Sequence, residues 1–405
     1  MASKDEKAAW SDLDYETHDW IPSQPGLMSR TQRKKHTGPY RAAQPARVAT
    51  IPVSDLGVSA ETLAMADEAS NAIARFDATT GTTLLPFTSV LLRSESAASS
   101  QIENLTASAK NIALAEVEPS AARRNVLIIV ANGRAMQAAI ALAGELDEAA
   151  VMDMHRALLE QSKPEIVGQW RTVQVWIGGS DYGPHGALFV PPHPALVPAA
   201  MNDLFQFIER DDLPVLVHAA LAHAQFETVH PFPDGNGRTG RALVHAMLTG
   251  KGLTRDVTVP ISAGLLVNTE AYFAALTAYR SGDPDEIVRQ FAEASFLGIR
   301  NGTQLLDALR ELKDGWEATL GLRRQATAWR LIDHLFAHPV VSARHVTEHL
   351  HVTATTALSA IESLVNHEVL TLISAGKKGK GNRIWAASKV LAELDAFSKR
   401  AGRRA

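Results

Sequence analysis

Twelve consecutive residues, His230-Pro231-Phe232-Pro233-Asp234-Gly235-Asn236-Gly237-Arg238-Thr239-Gly240-Arg241, gather a titratable base, a carboxylate, an amide, glycines and two arginines. Gly235 and Gly237 let backbone N–H groups converge on an anion, and a helix starting there adds the positive end of its dipole. Arg238 and Arg241 lie three apart, so both project from that first turn, and their planar forks suit phosphate oxygens. Asp234 beside a phosphate site points to Mg²⁺, which takes one or two carboxylates plus substrate phosphates. His230, four residues earlier, is the natural general base for a protein hydroxyl. Gly235, Gly237 and Gly240 satisfy G-x-G-x-x-G, but an apolar helix (Val215 to Val229) precedes them where a dinucleotide site needs a strand. A P-loop fails at Arg241 and Ala242, and an EF-hand loop fails at Arg238 and Thr239.

The surrounding elements read as mostly helical. Leu63, Ala66, Ile73 and Phe76 share one helix face behind Ser59 as a cap, and further helices are expected at about 87–116, 119–145, 148–160, 194–210, 213–229 and on to about 300. Residues 168–192 break the trend. Val173, Val175 and Ile177 alternate before Gly178-Gly179, and Phe189-Val190 give a return strand, so one hairpin is expected there. Residues 1–45 read as an arm with Trp10, Trp20 and the basic cluster Arg30, Arg33, Lys34 and Lys35. It either docks its tryptophans on the body or serves as a basic contact.

The catalytic segment resembles the signature of Fic-domain enzymes, His-x-Phe-x-(Asp/Glu)-Gly-Asn-Gly-Arg-x-x-Arg, at every defined position. The resemblance covers roughly residues 50–300. It implies a mainly α fold, a helical core with a β-hairpin flap, acting as a protein adenylyltransferase with ATP as substrate and Mg²⁺ as cofactor. His230 would deprotonate a target Ser, Thr or Tyr hydroxyl, which attacks the α-phosphate of ATP and releases pyrophosphate. Phe232 would anchor the loop and Asp234 would hold Mg²⁺. Gly235, Asn236 and Gly237 would form the anion hole, with Thr239 and Gly240 in the same ATP-binding turn. Arg238 would contact the β-phosphate region and Arg241 the γ-phosphate. An intact Gly237 favours AMP transfer over phosphorylation. The 170–192 hairpin resembles the family's flap, where Gln174, Val175 and Trp176 would either pair with a target strand or serve as ordinary hairpin residues. Asn268 and Tyr272 are candidates for the adenine pocket, although Tyr272 also fits an apolar core pattern.

Ser99-Ser100-Gln101-Ile102-Glu103-Asn104 resembles the family's inhibitory motif, (Ser/Thr)-x-x-x-Glu-(Gly/Asn), with Ser99, Glu103 and Asn104 at its defined positions. A carboxylate there would occupy Arg241 and exclude the γ-phosphate.

The last 80 residues follow a separate logic. Three short helices, each opened by a hydroxyl residue, precede strands at 369–373 and 383–385, which together spell a winged helix-turn-helix. Lys377, Lys378, Lys380, Arg383 and Lys389 make its wing basic, while Thr353–Asn366 offers no lysine or arginine. The expected domains are an arm (1–45), a helical region with the inhibitory motif (46–145), the Fic core (146–300), a linker helix (301–325) and the winged helix (326–405).

Length and composition bound the alternatives. At roughly 150 residues per domain, 405 residues make two or three domains. A formal charge of −4 excludes a globally basic nucleic-acid coat, and the absence of cysteine excludes disulfides, thiolate metal sites and cysteine nucleophiles. With no apolar leader and no run long enough to span a bilayer, a cytoplasmic protein without membrane contact is expected. Its partners would be ATP, a protein target (possibly itself), DNA through the winged helix, and a second copy in a homodimer. The rival functions are a DNA-binding regulator with a Fic-derived sensor body, and a hydrolase that removes AMP.

Overall fold

The computed structural model describes residues 10–402 except 24, 84, 322, 324, 325 and 376–382. Lys377, Lys378 and Lys380 of the expected wing lie outside the described residues. In chain order the elements are β1 (Tyr15–Trp20), α1 (Arg30–Lys35), β2 (Gly38–Ala43), α2 (Ala60–Thr83), α3 (Leu85–Ile102), α4 (Ala109–Val117) and α5 (Arg124–Ala141). There follow α6 (Glu148–Leu159), α7 (Val197–Glu209), α8 (Val215–Val229), α9 (Asn236–Gly250), α10 (Ile261–Val267), α11 (Thr269–Arg280) and α12 (Asp285–Leu320). The C-terminal part holds α13 (Thr327–Ala337), β3 (Val340–Ser342), α14 (Ala343–Leu350), α15 (Ala354–Asn366), β4 (Thr371–Ser374), β5 (Ile384–Ala386) and α16 (Ser388–Arg400).

The chain divides into two compact units. One contains residues up to Ser70, Ala138–Lys251 and Glu270–Ala292; the other contains Asn71–Gln137, Gly252–Thr269 and the chain from Glu293 onward. In the first unit the expected arm contains a β-hairpin, with β1 and β2 antiparallel and Tyr15 opposite Ala43. The basic cluster lies on α1, whose capping box pairs Ser29 and Gln32 reciprocally. Leu13, Ala43 and Phe189 form one small core beside this hairpin, and Tyr40, Ala42 and Val190 another. The segment 168–192 is less regular than its alternation suggests. It carries two isolated bridges, Ile177 with Phe189 and Ser180 with Gly183, in place of two continuous strands. Val173 is exposed and Gln174 buried, so the alternation there reflects packing on the body more than pairing across a hairpin.

In the second unit the helix expected over 87–116 breaks in two. Asn104 adopts a left-handed φ of 59°, Leu105 N–H donates to the Ser100 carbonyl, and Asn104 N–H donates to that of Gln101. That is a Schellman cap, with Glu103 at the cap and Asn104 at the left-handed position that Gly and Asn tolerate best. Beneath it Asn132 donates to the Ser96 carbonyl and to Ser100 Oγ, so two helices share a buried polar link. Glu95, fully buried, accepts the Ser262 N–H with both oxygens and so caps the start of α10. Towards the C-terminus, Ser342 caps α14 and Thr353 caps α15, as their hydroxyls suggest. The three strands form an antiparallel sheet in the order β3-β5-β4, of which β3 carries no alternation long enough to read. Its core joins Ala113, Val340, Ile384, Ala386 and Leu391. No helix among the described residues is long and apolar enough to cross a membrane.

Candidate active site

α8 is buried on every side, Leu216 through Val229 without a break, as befits a helix enclosed by its unit. Its polar residues are matched from within. His218 donates Nε2–H to the Phe207 carbonyl at 2.8 Å, and burial lowers its pKa to about 4, leaving the ring neutral. Gln225 accepts the Tyr279 hydroxyl at 2.9 Å and donates to the Ala46 carbonyl at 2.7 Å. The helix ends at His230, which takes a left-handed φ of 50°. That conformation is uncommon for a residue with a Cβ and is typical of sites where structure serves function.

From His230 the chain folds back over Phe232. Its ring is fully buried and stacks on the His155 imidazole, with centroids 3.7 Å apart and planes 2° apart. The Asn236 side chain then closes the loop. Its oxygen accepts the Phe232 N–H and its amide donates to the Phe232 carbonyl, both at 2.8 Å. Asn236 therefore commits its side-chain oxygen and one amide N–H to the turn. Gly235, at φ 84°, is required twice over: a Cβ there would be strained and would press within 3.0 Å of Leu158. It is also the N-cap of α9, which starts with no side-chain cap, so its first-turn N–H groups suit an anion. Gly240 answers to packing, since a Cβ would come within 3.0 Å of Phe226 and 3.2 Å of Glu227 on α8. Arg238 and Thr239 on the first turn of α9 and Arg241 on the second are all buried.

Asp234 accepts Gly235 N–H at 2.6 Å through Oδ1 and Lys163 Nζ at 2.6 Å through Oδ2, with Arg238 Nη2 3.6 Å from Oδ1. Burial pushes its carboxyl up, but Lys163, then Arg238 and the Gly235 N–H, outweigh burial and hold it below the usual carboxylate range. An ionised hard oxygen donor at a helix start fits Mg²⁺, which leaves its other positions to phosphate and water. Its main-chain carbonyl accepts His155 Nε2–H at 3.0 Å, and burial brings His155 down to about 4.

Behind His230 lies a charge outside the twelve-residue segment. Glu227 Oε2 is 3.6 Å from His230 Nδ1, one helical turn earlier on α8. Burial alone would raise the Glu227 carboxyl, but His230, His223 and Arg241 together hold it at about 2. The signal for it is the one carboxylate in a largely apolar helix, a turn before the histidine. Arg171 is buried and donates Nε–H to the His230 carbonyl at 2.8 Å, and further N–H groups to the carbonyls of Val229, Val173 and Pro192. It ties the C-terminal end of α8 to both arms of the flap segment, a helix end where a cation is favourable. Burial lowers its own pKa to about 10, so it stays charged. No sequence pattern distinguishes this arginine from a surface one.

The flap residues are positioned by the N-terminal hairpin. The Gln174 side chain turns inward, donating to the Pro191 carbonyl at 2.9 Å and accepting the Tyr40 hydroxyl at 3.2 Å. Val175 and Trp176 are half-buried, with Trp176 Nε1–H donating to the Ser180 carbonyl at 2.8 Å. Trp20 packs edge-on against Trp176 and donates to the Tyr182 carbonyl. Tyr272 is buried in the same unit, its hydroxyl 2.7 Å from His223 Nε2. Asn268, at the exposed end of α10, belongs to the second unit, as do Ser99, Glu103 and Asn104. Ser99 is fully buried, while Glu103 and Asn104 are exposed at the end of α3.

Comparison with known proteins bears on this geometry. Residues 145–248 match the Fic/DOC family, and residues 63–141 match the Fic/DOC family N-terminal region. Protein adenylyltransferase fic-1 of Caenorhabditis elegans is 31% identical over 154 residues, 37% of this chain and 27% of that protein. A probable protein adenylyltransferase of Aquifex aeolicus is 31% identical over 135 residues, 30% of this chain and 40% of that protein. The chain therefore spans well under half the length of these relatives. Among solved structures, a Fic family protein from Desulfovibrio desulfuricans aligns with a TM-score of 0.51 at 19% identity, covering 82% of this chain and 96% of that one, a likeness of fold.

Proposed function

The chain carries a Fic/DOC-family domain behind that family's N-terminal region, and on this basis we propose that it is a protein adenylyltransferase. It moves AMP from ATP to a Ser, Thr or Tyr hydroxyl of a target protein. The observation that carries this reading is the single turn that joins a left-handed His230, an ionised Asp234 and the uncapped start of α9. The first-turn N–H groups of α9 hold the phosphates, with Arg238 and Arg241 on the β- and γ-phosphates. Mg²⁺ on Asp234, when bound, neutralises phosphate charge. His230 takes the proton of the acceptor hydroxyl as its oxygen attacks the α-phosphorus. The bond from the α-phosphorus to the bridging oxygen breaks, and pyrophosphate departs with the electron pair. Glu227 turns towards Nδ1 of His230, leaves Nε2 to the substrate, and stabilises the imidazolium that forms. Positioning and charge supply most of the acceleration in such a transfer.

Glu103 is the brake in this reading, competing with the γ-phosphate for Arg241. Its support is the matching motif and the cap at the end of α3, which fixes Glu103 beside a left-handed Asn104. The segment from Thr327 reads as a winged helix on its element order and its β3-β5-β4 sheet, and serves as a docking module. A DNA-binding regulator and an AMP-removing hydrolase draw no support from the adenylyltransferase relatives.

The test uses ATP labelled at either the α- or the γ-phosphate, with Glu103→Gly protein, alone and with cell extract. The α-label becomes protein-bound, more than with the unchanged chain, and the γ-label does not. Adding His230→Ala removes the signal. Transfer of the γ-label, or undiminished α-label with His230→Ala, contradicts the proposal.

A further inference from the structure

The C-terminal part of the second unit holds another concentration of titratable groups that the transfer reaction does not use. Its sequence reads His334-x₃-His338 at the end of α13 and His345-x₃-His349 on α14, so each pair stands one helical turn apart. The two pairs meet. All six ring-to-ring separations among the four imidazoles fall between 4.0 and 5.7 Å. His334 Nε2 and His345 Nε2 are 2.9 Å apart, and one ring nitrogen from each of His334, His345 and His349 lies within 4.8 Å of the others. An ion about 2.0–2.1 Å from each nitrogen in a tetrahedral site sets them roughly 3.3 Å apart, so it would displace the proton shared by His334 and His345, open that pair slightly and draw the wider pairs in by up to about 1.5 Å.

The rings are also oriented as ligands are. His349 Nδ1 lies 2.9 Å from the His345 carbonyl, so Nδ1 carries the hydrogen and Nε2 keeps the lone pair. His338 packs against the other three rings and turns its Nδ1 towards Glu116 Oε2 at 3.6 Å, a carboxylate itself paired with Arg93. Beneath them Leu331, Ile332, Leu335 and Phe336 of α13 and Val346 and Leu350 of α14 are buried, so the two helices hold the rings on a firm base. His334 and His345 are half-buried and His349 is exposed, which gives an ion a way in. A merely solvated helix face would spread four like groups apart; here they converge. With no cysteine in the chain, the donors are all imidazole, which suits zinc, copper or nickel over magnesium or calcium.

We propose that His334, His345 and His349 bind one divalent transition-metal ion, with water in the remaining position, and that the ion fastens α14 to α13. The experiment titrates Zn²⁺ by calorimetry into untagged, chelator-stripped full-length protein, and follows the thermal midpoint with and without the ion. One zinc binds per chain and raises the midpoint. The double variant His345→Gln/His349→Gln, with its helical circular dichroism intact, loses both effects. His349→Ala, whose exposed side chain supports no core, weakens binding at least tenfold and decides the matter if the double variant does not fold. Asp234→Asn, which alters the carboxylate of the catalytic turn, binds zinc as the unchanged protein does. Absence of zinc binding, equal binding in the folded double variant or in His349→Ala, or loss of binding in Asp234→Asn overturns the proposal.

Discussion

Glu227 stands one turn before His230 with its carboxyl at about 2, so it is an anion at every pH at which the protein works. Its charge favours the imidazolium that exists only while His230 holds the acceptor's proton, so its effect belongs to the transition state and not to ATP binding. Glu227→Gln keeps the shape and removes the charge. In the AMP-transfer assay kcat should fall about tenfold, roughly 1.4 kcal/mol, while KM for ATP stays level or drops because Arg241 loses a nearby anion. A loss of thermal stability with kcat unchanged would make Glu227 a packing residue only. Most of this site was legible from residue types: the base, the carboxylate, the glycines and the arginines occupy adjacent positions. Glu227 was visible as the one acid in a largely apolar helix. Arg171 and His155 were not, because their partners are main-chain carbonyls and a ring distant in sequence.

Among elements, the end of α3 is the most instructive. Helical periodicity runs past Glu103 without a break and predicts one helix to about 116. What stops it is Asn104 in the left-handed region, with the 6→1 bond from Leu105 to Ser100 behind it. The Gly-or-Asn position of the inhibitory motif thus has a backbone reason. Asn104→Gly should leave stability nearly unchanged in urea titration, whereas Asn104→Val should cost about 1–2 kcal/mol for a β-branched residue held left-handed. If Glu103 is the brake, Asn104→Val should also raise AMP transfer and Asn104→Gly should not. Equal stability of the two variants would remove this account of the cap. The flap taught a different lesson. Its alternating residues suggest strands, but Gln174 is drawn inward by Pro191 and Tyr40, and only two bridges remain.

At the scale of the whole chain, helix content, the break at the flap and the succession of α13, α14, α15, β4 and β5 could be read from periodicity and caps, whereas β3 and α16 could not. The pairing of β1 with β2 could not, because α1 and its basic cluster separate two short strands whose registry depends on packing against Phe189 and Val190. Nor could the division into two units assembled from discontinuous stretches, since no composition change marks Ser70, Gln137 or Lys251. The four converging histidines were present in the sequence as two one-turn pairs, and only the meeting of α13 and α14 makes them a cluster. The central claim concerns one turn of the first unit, and it is tested most directly by a crystal structure of full-length Glu103→Gly protein with ATP and Mg²⁺. The account predicts phosphates against the first-turn N–H groups of α9, the metal on Asp234 and the His230 imidazole facing the α-phosphate. A nucleotide bound elsewhere, or a His230 ring turned away from the α-phosphate, would contradict it.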